Sequence, residues 1–263
     1  MSASAVPQDP VTVAGTEAPL LVVDHLSKEF GAVKALQDVS FSVNAGEVVG
    51  LVGDNGAGKS TLVTIVAGVQ HPTSGHVFLD GKPLDVATPA EARDAGIETV
   101  YQELALIEMF DMATNFFLGR EILQKGIRQR LGVLNRRDMR RRAREKVSEI
   151  PAKFPNFDAA VETMSGGQRQ IVALAKAAFW GGRLLLLDEP TAALGVQESA
   201  GVLDMINELA GEDRAMIVIA HNLQHVWSVC TRILVLRRGY LVADLDKAET
   251  TAEEVVAYIT GAR

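Results

Sequence analysis

The sequence predicts an α/β protein: a mostly parallel sheet covered by helices, with an N-terminal antiparallel β portion and an inserted helical lobe. Three observations predict it. Four short runs, Val48–Val52, Leu184–Leu187, Met216–Ala220 and Ile233–Leu236, are apolar or glycine throughout, as suits strands buried on both faces. Helical segments with capping residues lie between them. The run Gly53-Asp54-Asn55-Gly56-Ala57-Gly58-Lys59-Ser60 follows the first of these strands and precedes a helix-like stretch, Thr61–Val69. That strand–loop–helix setting is the one a phosphate-binding loop requires.

Taken in order, residues 1–18 lack periodicity and read as a mobile tail before one folded unit, 19–263. Leu20–Asp24 and Val39–Val43 read as strands; in the second, Val39, Phe41 and Val43 alternate with serines, as in a half-buried antiparallel strand. His76–Asp80 is a further short strand, followed by a turn at Gly81-Lys82-Pro83. Thr88-Pro89-Ala90-Glu91 is a capping box with proline at the first helical position. From 103 to 177 strand signals are few and helix formers many, so this stretch is taken as a lobe inserted into a core made of 19–102 and 178–263. Within it, Asn135 with Asp138 starts a helix expected to end near Ser148–Ile150, before Pro151. Thr250 with Glu253 opens a last helix, through about Ile259.

Composition narrows the function. With 48% hydrophobic residues in 263, the chain can bury a substantial core. A net charge of −7 argues against a general nucleic-acid binder, although eleven of the 26 Lys and Arg residues fall between Arg120 and Lys146. Cys230 is the single cysteine and reads as an inert packed thiol. No signal peptide is visible, and no run approaches 18 apolar residues, so no membrane span is expected.

The chemistry concentrates in three motifs. In the loop 53–60, backbone N–H groups turn inward around phosphate oxygens, and the following helix N-terminus adds its partial positive charge. Gly53, Asp54, Asn55, Gly56, Ala57, Gly58, Lys59, Ser60 and Thr61 are therefore the expected phosphate-binding set. Lys59 reaches the β- and γ-phosphates, and Ser60 holds Mg²⁺. Leu184–Leu187 ends in Asp188-Glu189, which delivers two carboxylates to the edge of the sheet where ligands bind. Asp188 suits Mg²⁺; Glu189 suits the attacking water. Ser165-Gly166-Gly167-Gln168 lies 23 residues before Asp188; by itself it is a helix start with Ser165 as N-cap.

In this order, phosphate loop, Ser-Gly-Gly-Gln and apolar-strand-Asp-Glu, the chain resembles the ATP-binding-cassette ATPases. The resemblance implies a RecA-like P-loop NTPase core with ATP as substrate and Mg²⁺ as cofactor. It implies that Phe30 stacks on adenine, that Gln102 touches the Mg²⁺ site and begins the lobe facing the transporter, and that His221 contacts the γ-phosphate. It also implies a homodimer, in which Ser165, Gly166, Gly167 and Gln168 complete the partner's nucleotide site. One departure stands out: family members mostly read Ser-Ala-Leu-Asp after the threonine, where this chain reads Ala192-Ala193-Leu194-Gly195. The missing aspartate puts coupling between the two sites in doubt.

Gly96–Leu104, Asn115–Glu121 and Ala192–Gly195 resemble the ATPase subunits of bacterial monosaccharide importers. Such subunits sit at the cytoplasmic face of the inner membrane against transmembrane permease subunits, served by an extracytoplasmic sugar-binding protein. Alternatives are a cassette for another substrate or for export, a soluble cassette protein acting on ribosomes or DNA, and a nucleotide-binding subunit with little turnover. The arginine-rich stretch Arg136–Lys146 reads as a solvated helix face, with contact to lipid headgroups or permease as the sharper reading.

Overall fold

The computed structural model describes residues 18–150, 154, 156–211 and 213–263. The expected tail lies outside them but for Ala18, as does Pro151.

The antiparallel portion is a four-stranded sheet. β1 (Leu21–Phe30), β2 (Val33–Val43), β4 (Ser74–Leu79) and β5 (Lys82–Pro83) lie in the order β2-β1-β4-β5. Val39, Phe41 and Val43 are buried while Ser40 is exposed, as the alternation requires. β1 runs six residues past its expected end, because His25 takes a positive φ of 47°. The register shifts between Val23 and Leu26, which returns Leu26 to the buried face. The expected turn at Gly81-Lys82-Pro83 needs correction: Lys82 and Pro83 pair with Leu79 and Phe78, and the turn is Asp80-Gly81. Proline is tolerated there because β5 is an edge.

The main sheet contains β3 (Val48–Val52), β6 (Ile97–Val100), β7 (Leu184–Asp188), β8 (Ala215–Ile219), β9 (Arg232–Arg237) and β10 (Tyr240–Asp246), in the order β10-β9-β3-β8-β7-β6. Every neighbouring pair is parallel except β9 with β10. Its two faces divide the core by the two-residue period of a strand. Leu184, Leu186, Ile217 and Ile219 join Val49 and Leu51 on the face toward the small sheet and helix α1 (Lys59–Val66). Leu185, Leu187, Met216 and Val218 point the other way, toward the lobe. Helix α2 (Pro89–Asp94) starts at Thr88, whose side chain accepts from Glu91 N–H, as expected.

The stretch after β6 is helical apart from an isolated bridge between Leu123 and Leu134. It holds α3 (Met112–Phe116), α4 (Ile127–Arg130), α5 (Arg136–Val147), a 3₁₀ turn (Val161–Thr163) and α6 (Gly166–Phe179). Phe116, Phe117, Phe179 and Trp180 form an aromatic cluster with centroids 5.0–5.4 Å apart, and Trp180 Nε1 donates to Phe116 O at 2.8 Å. On α5, Asn135 caps Asp138 N–H. Most of its cations are ion-paired: Arg140 with Asp111 at 2.6 Å, Arg141 with Asp138 and with Glu145 at 2.9 Å, Arg142 with Asp138 at 3.1 Å, Arg144 with Asp158, and Lys146 with Glu149 at 2.6 Å. That pattern favours the solvated-face reading of this helix. Helices α7 (Val196–Leu209), α8 (Leu223–Val229) and α9 (Ala252–Thr260) complete the chain. The cap of α9 is Thr251, one residue later than expected; Thr250 instead donates to Glu254 Oε2 at 2.8 Å.

Candidate active site

Parallel pairing assembles the site. β3, β6, β7 and β8 all end at the same edge, so the residues just past their C-termini converge. Register makes this concrete: Leu51 sits opposite Ile219, Asp188 opposite Ile219, and Val100 opposite Leu187. A cleft at that edge is lined by Asn55–Thr61 from the loop and start of α1, with Gln102, Asp188, Glu189 and His221. Gly53 and Asp54 line an adjoining depression with His221.

The loop geometry depends on Gly53. Its φ is 150°, and a Cβ there would stand 2.1 Å from Leu236 O. The side chain of Lys59 is buried and folded back, its Nζ donating to Gly53 O at 2.6 Å and Asp54 O at 3.0 Å. Burial pulls its ammonium below the usual lysine range, opposed by Glu189, Asp54 and Asp188. Burial pushes the Asp188 carboxyl above the usual aspartate range, opposed by Lys59 and His221.

Glu189 is held in an uncommon conformation, φ 52°, which a non-glycine residue keeps only when its surroundings impose it. Three contacts impose it here: its N–H donates to Ile219 O at 2.8 Å, its Oε2 accepts from His221 N–H at 3.2 Å, and its O accepts from Ala192 N–H at 3.0 Å. Glu189 Oε1 lies 3.2 Å from His221 Nε2 but makes no hydrogen bond. A buried carboxylate oxygen without a donor, facing a phosphate loop, is suited to a water or hydroxyl donor from a ligand. Ser60, Gln102 and Asp188 offer hard oxygen donors in the same cleft, the donor chemistry Mg²⁺ takes.

Ser165 caps α6 as expected. Its Oγ accepts from Gln168 N–H at 3.4 Å, and Gln168 Oε1 accepts from Ser165 N–H at 2.9 Å. A Cβ on Gly167 would meet Glu198 Cβ at 2.7 Å, so α7 packs directly on the start of α6. Gly195 starts α7 with its own N–H donating to Glu198 Oε2 at 3.3 Å; the helix start has no side-chain cap of its own. Neither Ser165–Gln168 nor Phe30 lines the phosphate-loop cleft of the single chain. Phe30 is 47% exposed with Lys28 Nζ 5.0 Å from its ring centroid, so it is not a core residue.

Sequence reasoning missed three features near the site. Thr191 is buried and its Oγ1 lies 2.9 Å from His225 Nδ1. Asn115 is fully buried, its amide donating to the carbonyls of Ile107, Phe110 and Asp111 and accepting from Ile107 N–H. Glu98 lies buried in a second cavity, between β6 and the lobe, with Tyr101, Arg120, Lys176 and Trp180. Burial raises its carboxyl above the usual range, opposed by Arg120 and Arg93. Cys230 behaves as expected: buried, its thiol pushed up to about 11.

Comparison with known proteins agrees with this geometry. A family model described as ABC transporter matches residues 36–192. The chain is 43% identical to the fructose import ATP-binding protein FrcA of Rhizobium meliloti, over 94% of this chain and 96% of that protein. It is 41% identical to the xylose/arabinose import ATP-binding protein XylG of Sulfolobus acidocaldarius, over 92% and 94%. With the ribose import ATP-binding protein RbsA of Hahella chejuensis it shares 38% identity over 92% of this chain but 47% of that protein. Among solved structures, a nucleotide-free ATP-binding cassette from an ABC transporter matches the fold with TM-score 0.75 at 24% identity, covering 93% and 96%. Motif order, site geometry and relatives converge: the chain belongs to the ABC transporter family.

Proposed function

We propose that this chain is the ATP-hydrolysing subunit of a sugar importer. The observation that carries it is the convergence of the phosphate loop, Gln102, Asp188, Glu189 and His221 in one cleft, in a chain whose relatives of nearly equal length are named for fructose and xylose/arabinose import.

ATP enters with its phosphates against the N–H groups of residues 53–61. Lys59 leaves the carbonyls of Gly53 and Asp54 for the β- and γ-phosphates, an exchange favoured because phosphate brings charge to a half-desolvated ammonium. Ser60, Asp188 and Gln102 would hold Mg²⁺, which supplies charge neutralisation at the phosphate oxygens. Glu189 Oε1, free of a donor, orients the attacking water and takes its proton; His221 stands beside the γ-phosphate. Phe30 stacks on adenine.

Ser165, Gly166, Gly167 and Gln168 present a helix N-terminus to the ATP of a second copy, so the working form is a homodimer. Residues 103–177 form a lobe distinct from the core 19–102 and 178–263. The second cavity, beside Tyr101 and Gln102, receives the transmembrane permease subunits at the cytoplasmic face of the inner membrane. A sugar-binding protein outside the cell feeds that permease; nucleic acid plays no part. Measured ATP turnover, alone and with the permease, tests the reading: turnover with no response to the permease would separate hydrolysis from import.

A further inference from the structure

Residues 123–134 form a small flap on the lobe, held by its own backbone. Leu123 and Leu134 bridge antiparallel. Gln124 N–H donates to Val133 O at 2.8 Å, Val133 N–H to Arg128 O at 3.0 Å, and Asn135 N–H to Ile122 O at 2.6 Å. Ile122 packs against the main core at its base. At its tip, Ile127 is 76% and Leu131 75% exposed; Leu123 and Val133 are exposed as well. The flap is thus ordered and places aliphatic side chains in water.

Its charge is equally one-sided. From Leu123 to Arg137 the chain carries Lys125, Arg128, Arg130, Arg136 and Arg137 and no acidic residue. Along α5 each cation from Arg140 onward has a carboxylate partner. Among the described residues these five have none. In a chain of net charge −7, residues 123–137 thus carry five cations without carboxylate partners alongside an exposed aliphatic tip.

We propose that this flap docks on an anionic lipid surface, Ile127 and Leu131 entering the headgroup boundary while Lys125, Arg128, Arg130, Arg136 and Arg137 meet the phosphates. Cations in the same short segment as exposed aliphatic side chains are the chemistry of interfacial membrane contacts. A single-stranded nucleic acid would want aromatic stacking platforms, and residues 123–137 hold no aromatic side chain. The proposal goes beyond sugar import and stands whichever substrate the transporter carries.

The test uses the purified full chain with vesicles of phosphatidylcholine, with and without phosphatidylglycerol, read by co-sedimentation. Binding is expected only with phosphatidylglycerol and is lost at high salt. The triple variant Lys125→Gln, Arg128→Gln, Arg130→Gln is expected to bind about a hundredfold less tightly, and Ile127→Ser with Leu131→Ser at least about tenfold less tightly, since the headgroup boundary buries these side chains only in part. Far-UV circular dichroism and unchanged ATP turnover show that the variants remain folded. Failure to bind, equal binding to both vesicle types, binding unchanged in both variants, or capture of single-stranded nucleic acid without vesicle binding each overturns the proposal.

Discussion

Glu189 combines a left-handed backbone with a buried oxygen that lacks a donor, and both features follow from what its carboxylate must do. Glu189→Gln keeps the shape and the bond from His221 N–H but cannot accept a proton. We expect ATP binding to persist while turnover falls by at least about a hundredfold, measured as phosphate release against nucleotide titration. Asp188 gives a prediction of opposite sign. Its folded pKa is raised by burial, so the protonated form is the better tolerated one. The stability it contributes is present below the ordinary aspartate pKa and lost as pH rises through the folded value. At neutral pH the ionised carboxylate costs stability, and Asp188→Asn is expected to raise the melting temperature of the nucleotide-free protein while abolishing its further rise with Mg²⁺ and ATP. The phosphate loop, Asp188 and Glu189 were legible in sequence because each is a local string at a strand end. Asn115 and Glu98 were not: their importance lies in burial and in partners far along the chain, which no local pattern displays.

Backbone contacts in the lobe join the loop at Glu108 and Phe110 to the segment just before Ser165. Glu162 N–H donates to Glu108 O at 2.8 Å, and Val161 N–H to Phe110 O at 3.0 Å. Arg169 on α6 meets Glu108 at 2.7 Å. Asn115 holds that loop from beneath. Asn115→Ala removes the acceptor of Ile107 N–H and the donor to three backbone carbonyls, so we expect a loss of about 1–3 kcal/mol in denaturant unfolding. The charge reversal Arg140→Glu, Arg141→Glu, Arg142→Glu breaks the pairs with Asp111, Asp138 and Glu145. We expect it to lower stability while leaving ATP affinity unchanged, since none of these residues lines the nucleotide cleft. Helices with caps were legible because Thr88, Asn135 and Ser165 announce them. β6 and β10 escaped notice. β6 is four residues long with Glu98 inside it, and that carboxylate is accommodated by Arg120 rather than by any strand preference. β10 is an edge whose pairing with β9 comes from the Arg238-Gly239 turn, φ 51° and 85°, the positive-φ pair a tight hairpin needs.

At the scale of the molecule, one sheet edge gathers residues from four separated segments, and their convergence follows from parallel topology; the apolar runs of β3, β7 and β8 display three of those segments in sequence, and the fourth follows β6. Among the described residues the cleft is lined by the phosphate loop, Gln102, Asp188, Glu189, Ile219 and His221. Ser165–Gln168 are built as a capped helix start yet stand outside the cleft lining. We propose that the second face of the site belongs to another copy. The most direct measurement is the molar mass of the Glu189→Gln protein by light scattering, with and without ATP. We predict a monomer without ATP and a dimer with it, and a monomer that still binds ATP when Ser165→Arg is added. A Glu189→Gln protein that stays monomeric at saturating ATP, or a dimer indifferent to Ser165→Arg, would contradict the claim that two copies close on each nucleotide.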